Sequence, residues 1–146
     1  TREAVFNILQ DVSGFSVLDL FAGSGIMGIE AISRGASSVV AVENNRKQAI
    51  SLRNNYRKLQ IENNLTLWER DVLSLEFSHE KKTFDLIYAD PPFTETYPDL
   101  RKFLDFLSPD GVAIFECPSR AIPEWALEGK VRRYGESSLA FFWKDS

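Results

Sequence analysis

Four acidic residues each stand at the end of a short apolar run: Asp19 within Ser16 to Phe21, Glu43 closing Ser38 to Glu43, Asp71 after Leu65 to Trp68, and Asp90 after Phe84 to Ala89. The last of them opens the turn Asp90-Pro91-Pro92-Phe93. Its prolines fix φ and remove two amide donors, so the turn presents acceptors, the Asp90 carboxylate and the Pro91 carbonyl. Two adjacent acceptors suit an exocyclic NH2 group. Such an amine is a poor nucleophile because its lone pair is delocalised into the ring. Holding both N–H groups aims that lone pair at an electrophile, so positioning and electrostatics do most of the work and no strong base is needed. Phe93 offers a stacking face for a base taken out of its helix, the bland alternative being a rigid turn that packs Phe93 into the core.

Gly23, Gly25 and Gly28 follow Asp19 at the spacing of a dinucleotide-binding loop, where missing side chains permit a tight turn, ligand approach and close helix packing. Taken alone this spacing is weak. A carboxylate four residues before the first glycine would repel a pyrophosphate on the loop, yet it can accept hydrogen bonds from the ammonium of an amino-acid-like cofactor. The pattern therefore points to S-adenosylmethionine rather than NAD. Glu43 is placed to accept from both ribose hydroxyls, and Asp71 from an adenine amino group while the Val72 amide donates to the ring. Any single acid here could be a helix N-cap or a solvated loop residue. Four in succession line one rim.

The elements that position them alternate. Helices are expected over Arg2 to Gln10, Ile26 to Arg34 with Gly35 as a left-handed stop, Asn45 to Gln60, and Pro98 to Leu107. Strands are expected at Ser16 to Phe21, Ser38 to Glu43, Leu65 to Trp68, Phe84 to Ala89 and Val112 to Phe115. Ser108-Pro109-Asp110-Gly111 is a turn, and Lys130 to Tyr134 with Leu139 to Trp143 form a closing antiparallel hairpin across Gly135 to Ser138. Alternation of this kind implies an α/β fold, a Rossmann-like, mostly parallel sheet with helices on both faces and ligands beyond the carboxyl ends of its strands.

At 146 residues and 44% hydrophobic, the chain suits one domain. Its single cysteine, Cys117, reads as a small buried hydrophobe, and with no signal peptide or spanning segment a cytoplasmic setting is expected. His79, among charged neighbours in a polar loop, reads as a surface residue, and the Asn64-Leu65-Thr66 sequon as chance. No metal is expected. The formal charge of -4 argues against coating nucleic acid by bulk electrostatics, so RNA contact must come from a local patch. Arg46, Arg53 and Arg57 form one helical stripe, read mainly as a solvated face. Thr1 is not an initiator methionine, so a preceding segment is expected.

Asp19-Leu20-Phe21-Ala22-Gly23-Ser24-Gly25, Glu43, Asp71 and Asp90-Pro91-Pro92-Phe93 resemble the motifs of class I S-adenosylmethionine-dependent methyltransferases acting on amino groups. More narrowly, Thr1-Arg2-Glu3 with Phe6-Asn7-Ile8-Leu9, the runs Gly28 to Ala31 and Ser33 to Ala36, and Tyr134-Gly135-Glu136 resemble the bacterial RsmD family. Those enzymes methylate N2 of a guanine in small-subunit ribosomal RNA. The resemblance implies that Asp19, Gly23 and Gly25 meet the methionine part of the cofactor, Glu43 the ribose, and Asp71 and Val72 the adenine, with Phe21, Ala22, Ser24 and Asn44 also cofactor-binding. It makes Asp90, Pro91, Pro92 and Phe93 the amine-orienting and stacking group, and implies a partner in small-subunit rRNA or the assembling 30S subunit, met by a monomer. The family carries basic sequence before its Thr-Arg-Glu element, whereas this chain starts at Thr1, leaving Lys130, Arg132 and Arg133 as its local basic cluster. Alternatives are an amino-methyltransferase for a DNA adenine, another RNA, a protein glutamine or a small molecule, a cofactor-binding scaffold without catalysis, and an NAD-dependent oxidoreductase. The last leaves Asp19 and the Asp-Pro-Pro-Phe turn without a purpose.

Overall fold

A computed structural model describes residues 2–75, 82–92 and 97–144. Seven strands form one sheet: β1 (Ser16–Leu20), β2 (Ser38–Val42), β3 (Leu65–Trp68), β4 (Phe84–Ala89), β5 (Leu107–Pro118), β6 (Lys130–Tyr134) and β7 (Ser137–Trp143). Their order is β3-β2-β1-β4-β5-β7-β6. The first five run parallel, and β7 is antiparallel to both β5 and β6. The chain therefore forms the expected parallel sheet with its closing hairpin, and the carboxyl ends of β1, β2, β3, β4 and β5 share one rim.

Two apolar layers sandwich this sheet, because successive strand residues point to opposite faces. Val17, Val39, Leu86 and Ile114 pack on one face against α1 (Arg2–Leu9), α2 (Ile26–Ser33) and α3 (Arg46–Lys58). Leu18, Val40, Ile87 and Phe115 pack on the other, against Val72, Leu100, Phe103 and Trp125. Helices thus cover both faces, but of different kinds: the three α-helices lie on one, and short 3₁₀ segments at Val72–Ser74, Arg101–Phe106 and Glu124–Glu128 carry the cover of the other.

Asn45 caps α3, its side chain accepting from the Gln48 amide at 3.1 Å, and Leu52 and Tyr56 on the inner face of that helix are fully buried. Burying a leucine side chain contributes about 1.5–3 kcal/mol, so this face fixes α3 more firmly than its helix propensity does. Glycine lets α2 and α3 approach. A Cβ added at Gly28 would lie 2.3 Å from the Tyr56 hydroxyl and 2.9 Å from Val39 Cγ1.

Several boundaries differ from expectation, each for a local reason. α1 stops at Leu9, since Gln10 turns to φ 61 while its amide still donates to the Phe6 carbonyl. The α-helix expected over Pro98 to Leu107 is instead a 3₁₀ helix at Arg101–Phe106, because Leu107 is drawn into the sheet opposite Phe84. The turn Ser108 to Gly111 sits inside β5 as a bulge: Leu107 pairs with Phe84 and Val112 already with Leu86, and Asp110 takes a left-handed φ of 65. The hairpin loop shortens to Gly135 and Glu136, as Ser137 and Ser138 join β7. His79 lies outside the described residues, as does most of the loop Ser78 to Thr83.

Candidate active site

The sheet's register decides which acids meet. Asp19 in β1 pairs with Tyr88 in β4, and Tyr88 with Ile114 in β5. Two residues further along, on the same face as α1 to α3, Asp90 leaves β4 beside Glu116 of β5. Asp19, Tyr88, Asp90 and Glu116 line one cavity of about 470 Å³ together with the Ala22 to Ser24 loop and Arg2. A second cavity of about 690 Å³ is lined by Glu43, Asn44, Asp71, Val72 and Pro92. Phe21, Gly23 and Asp90 line both, so the two halves form one cleft over the rim.

The glycine loop is held by backbone bonds from Ala22 to the Val42 carbonyl and from Gly25 to the Ala22 carbonyl, while Asn55 of α3 donates to the Ser24 carbonyl at 2.9 Å. Phe21 takes φ 57, a left-handed conformation costing about 1–2 kcal/mol for a residue with a Cβ; such strain clusters at ligand sites. Gly25 does not line the cleft. It is buried at the start of α2, where a Cβ would fall 2.8 Å from Leu52 Cγ, so its place is under α3 rather than against a ligand.

Asp19 is 2% exposed, and its Oδ2 has no hydrogen-bond partner among the described residues. Burial raises its carboxyl from 3.8 to about 7, against a lowering pull from the Gly28 amide, with Asp90 and Glu43 adding like charge. An acceptor kept in that state fits a cationic donor. Glu43 braces two loops, its Oε1 accepting from the Gly23 amide at 2.7 Å and its Oε2 from the Asn45 amide at 2.8 Å. Each oxygen keeps a lone pair for a further donor. Asp71 caps the 3₁₀ turn after β3, its Oδ1 accepting from the Leu73 amide at 3.0 Å, while the residue still borders the cleft.

Asp90 is exposed at the mouth, yet its carboxyl is pushed up to about 7 by partial desolvation, then by the charge of Glu116 and a hydrogen bond to it. Pro91 is buried beneath it and Pro92 borders the second cavity. Phe93 lies outside the described residues, and so does its stacking role. The basic residues expected to act together are split by strand alternation. Lys130 and Arg132 pair opposite Phe141 and Leu139, whereas Arg133 pairs opposite Ser138 and faces Arg120 across a cleft of about 410 Å³.

Sequence reasoning missed Glu116, Tyr88 and Arg2 as cleft residues. The available signal for Glu116 was a lone acid in the apolar run Val112 to Cys117, which ending the strand at Phe115 concealed.

The family model described as Conserved hypothetical protein 95 matches residues 1–143. The Ribosomal RNA small subunit methyltransferase D of Buchnera aphidicola is 36% identical over 93 residues, 63% of this chain and 48% of its own length. A Methanocaldococcus jannaschii protein named for N5-glutamine methylation is 29% identical over 136 residues, 90% of this chain and 66% of its own. The solved structure of a conserved hypothetical protein from Streptococcus pyogenes superposes with a TM-score of 0.81 at 30% identity, covering 98% of this chain and 94% of that one. The chain spans about half the length of the first curated relatives it matches, 48%, 53% and 48%. With a family model matched along nearly its whole extent, the chain belongs to the family described as Conserved hypothetical protein 95, the RsmD family that its motifs resemble.

Proposed function

We propose that this protein is an S-adenosylmethionine-dependent methyltransferase acting on the exocyclic N2 amine of a guanine in small-subunit ribosomal RNA. The observation that carries the reading is the single cleft in which Asp19, Glu43, Asp71 and Asp90 all stand at the carboxyl rim of the sheet. S-adenosylmethionine, when bound, supplies an electrophilic methyl group on a cationic sulfur. The residues fit that group: the unpartnered, buried Asp19 Oδ2 calls for an ammonium donor, which a dinucleotide's pyrophosphate does not offer. Phe21, Ala22, Gly23 and Ser24 line the methionine half. Glu43, beside Asn44, has one lone pair per oxygen left for the two ribose hydroxyls. Asp71 offers the adenine amino group the oxygen that its capping bond leaves free, and Val72 lies beside it.

Asp90 and the Pro91 carbonyl accept from the substrate amine and orient its lone pair, the step from which most of the acceleration derives. Pro92 stiffens the turn, and Phe93 stacks on the displaced base. Arg120 and Arg133 border a cleft beyond the ends of β5 and β6 and contact RNA phosphates there. The protein works as a cytoplasmic monomer on rRNA or the assembling 30S subunit. No helix among the described residues is long and apolar enough to cross a membrane.

A second reading has one observation behind it. The relative named for glutamine methylation aligns over more of this chain than the rRNA enzyme does, and a side-chain amide is also a planar NH2 group. The natural full-length protein, incubated with methyl-labelled cofactor and either naked small-subunit rRNA or assembling 30S particles, is expected to label a guanine at N2. Label on an adenine or on a protein glutamine overturns the substrate. Calorimetry is expected to register S-adenosylhomocysteine and not NADH, and the reverse overturns the cofactor.

A further inference from the structure

Two carboxyl groups meet at the mouth of the cleft, and one of them has no part in the reading so far. Glu116 is 7% exposed near the end of β5. Tyr88 donates to its Oε2 at 2.9 Å, and Tyr97 donates to its backbone carbonyl, which fixes the strand end. The register that pairs Tyr88 with Ile114 carries Asp90 beside Glu116, both carboxyls line the same cavity, and Glu116 is among the causes that raise the Asp90 carboxyl. A hydrogen bond between two carboxyls requires a proton on one of them. Of the two, the carboxyl that is raised, to about 7, is that of Asp90, which leaves the proton there.

On the reading of this cleft as an amine methyltransferase site, we infer that Glu116 is a positioning residue for methyl transfer, holding Asp90 as a neutral acid with its carbonyl oxygen turned to the amine and taking up a proton through it. The geometry matches this role. A neutral Asp90 donates its O–H to Glu116 and accepts one amine N–H, while the Pro91 carbonyl accepts the other. As the amine nitrogen bonds to the methyl carbon, the carbon–sulfur bond breaks and its electron pair stays on sulfur. The nitrogen then loses one proton to the Asp90 carbonyl oxygen while the Asp90 O–H proton passes to Glu116. Asp90 ends neutral as it began and Glu116 ends protonated, having taken the positive charge that left the sulfur. Solvent at the mouth then removes the proton.

The groups facing Asp90 are consistent with this direction. Tyr88 on its own strand and Tyr97 are both held neutral, each raised above its ordinary value first by burial. Glu43 and Asp71 across the nucleoside half are acidic, Asp19 from β1 adds negative charge only as pH rises through about 7, and Arg2 from α1 lines the same cavity as a cation.

The test is Glu116→Gln, which keeps shape and hydrogen bonding but donates an N–H to Asp90 in place of sharing a proton. Isotope-edited infrared titration of aspartate-labelled, unliganded protein is expected to show two protonated aspartic acids persisting at about pH 6, Asp19 and Asp90. In Glu116→Gln one of the two should ionise below that pH, and Asp90→Asn should remove the same band. Survival of the Asp90 band in Glu116→Gln overturns the pairing, whatever the substrate. With a competent substrate, kcat is expected to fall by about 10²-fold with KM within about threefold, the neutral-pH inflection should shift to acid, and Glu116→Asp should recover part of the loss. An unshifted pH profile with kcat falling in step with thermal stability makes Glu116 merely structural and overturns the inference. If the wild type methylates nothing while the infrared result holds, the functional reading fails and the carboxyl pair stands.

Discussion

Replacing Asp19 with asparagine should stabilise the unliganded protein above neutrality while destroying its response to cofactor. A folded-state carboxyl raised from 3.8 to about 7 binds its proton more tightly than the unfolded chain does. The wild type therefore carries this contribution in full below 3.8 and loses it as pH rises through about 7. At about 1.4 kcal/mol per pH unit, the interval corresponds to roughly 4 kcal/mol at about pH 8. Asparagine removes the buried charge but places an NH2 where Oδ2 has no partner, at a cost of about 1–3 kcal/mol. The balance is a gain of about 1–3 kcal/mol. An unfolding entropy of about 2.1 cal/mol/K per residue makes each kcal/mol worth about 3 °C in a 146-residue chain, so Tm should rise by about 3–10 °C at about pH 8. At about pH 4 the advantage should vanish, because the folded wild type holds the proton and the unfolded carboxyl, ordinarily at 3.8, is close to half protonated, so little of the roughly 4 kcal/mol remains to be gained. Saturating S-adenosylhomocysteine should raise the wild-type Tm and leave the variant's unchanged. Scanning calorimetry at both pH values decides the matter: a variant no more stable than wild type at the higher pH, or one whose advantage is the same at both, refutes the reasoning.

Gly28→Ala should cost about 1–3 kcal/mol in denaturant unfolding, because its Cβ would meet the Tyr56 hydroxyl at 2.3 Å. That hydroxyl is buried without a partner among the described residues, so Tyr56→Phe alone should be near neutral and should recover part of the alanine's cost in the double variant. Glu43→Gln places an NH2 against one of two backbone N–H donors; it should lower stability by about 1–3 kcal/mol and weaken S-adenosylhomocysteine at least tenfold by calorimetry. Arg120→Ala with Arg133→Ala should reduce the salt dependence of RNA binding by about two phosphate contacts and leave the affinity for S-adenosylhomocysteine unchanged.

The rim was legible because it rests on the two most local rules available, strand alternation and the gathering of ligands at parallel carboxyl ends. Asp19, Glu43 and Asp71 could be placed from their own segments without knowing the sheet order. Glu116 could not. Its significance depends on β4 and β5 being neighbours, and on a register set after a bulge that consumes Ser108 to Gly111. The helix expected at Pro98 to Leu107 failed for a related reason. Leu100 and Phe103 repeat every three residues, which a 3₁₀ turn satisfies as well as an α-helix, and pairing of Leu107 with Phe84 then settles the choice. The split of Lys130 and Arg132 from Arg133 follows once those residues form an edge strand, since neighbours in a strand face opposite ways.

The protonation of the cleft bears on how it distinguishes donor from product. A formal count gives five carboxyls around it, Asp19, Glu43, Asp71, Asp90 and Glu116. With Asp19 and Asp90 both raised to about 7, protons neutralise part of that charge near neutrality. An ammonium bound at Asp19 favours its ionised form, so ligand binding there releases a proton and tightens as pH rises through about 7. This gain is shared by S-adenosylmethionine and S-adenosylhomocysteine, since both carry the amino-acid end. The sulfonium charge belongs to the donor alone, and it interacts with the net charge of the Asp90–Glu116 pair. Once that charge has left the sulfur and a proton has reached Glu116, the pair is neutral and the product sulfur is neutral beside it. On the proposed reading, the proton transfer that completes the chemistry removes the attraction that favours the donor, which would couple release of the spent cofactor to the step that spends it.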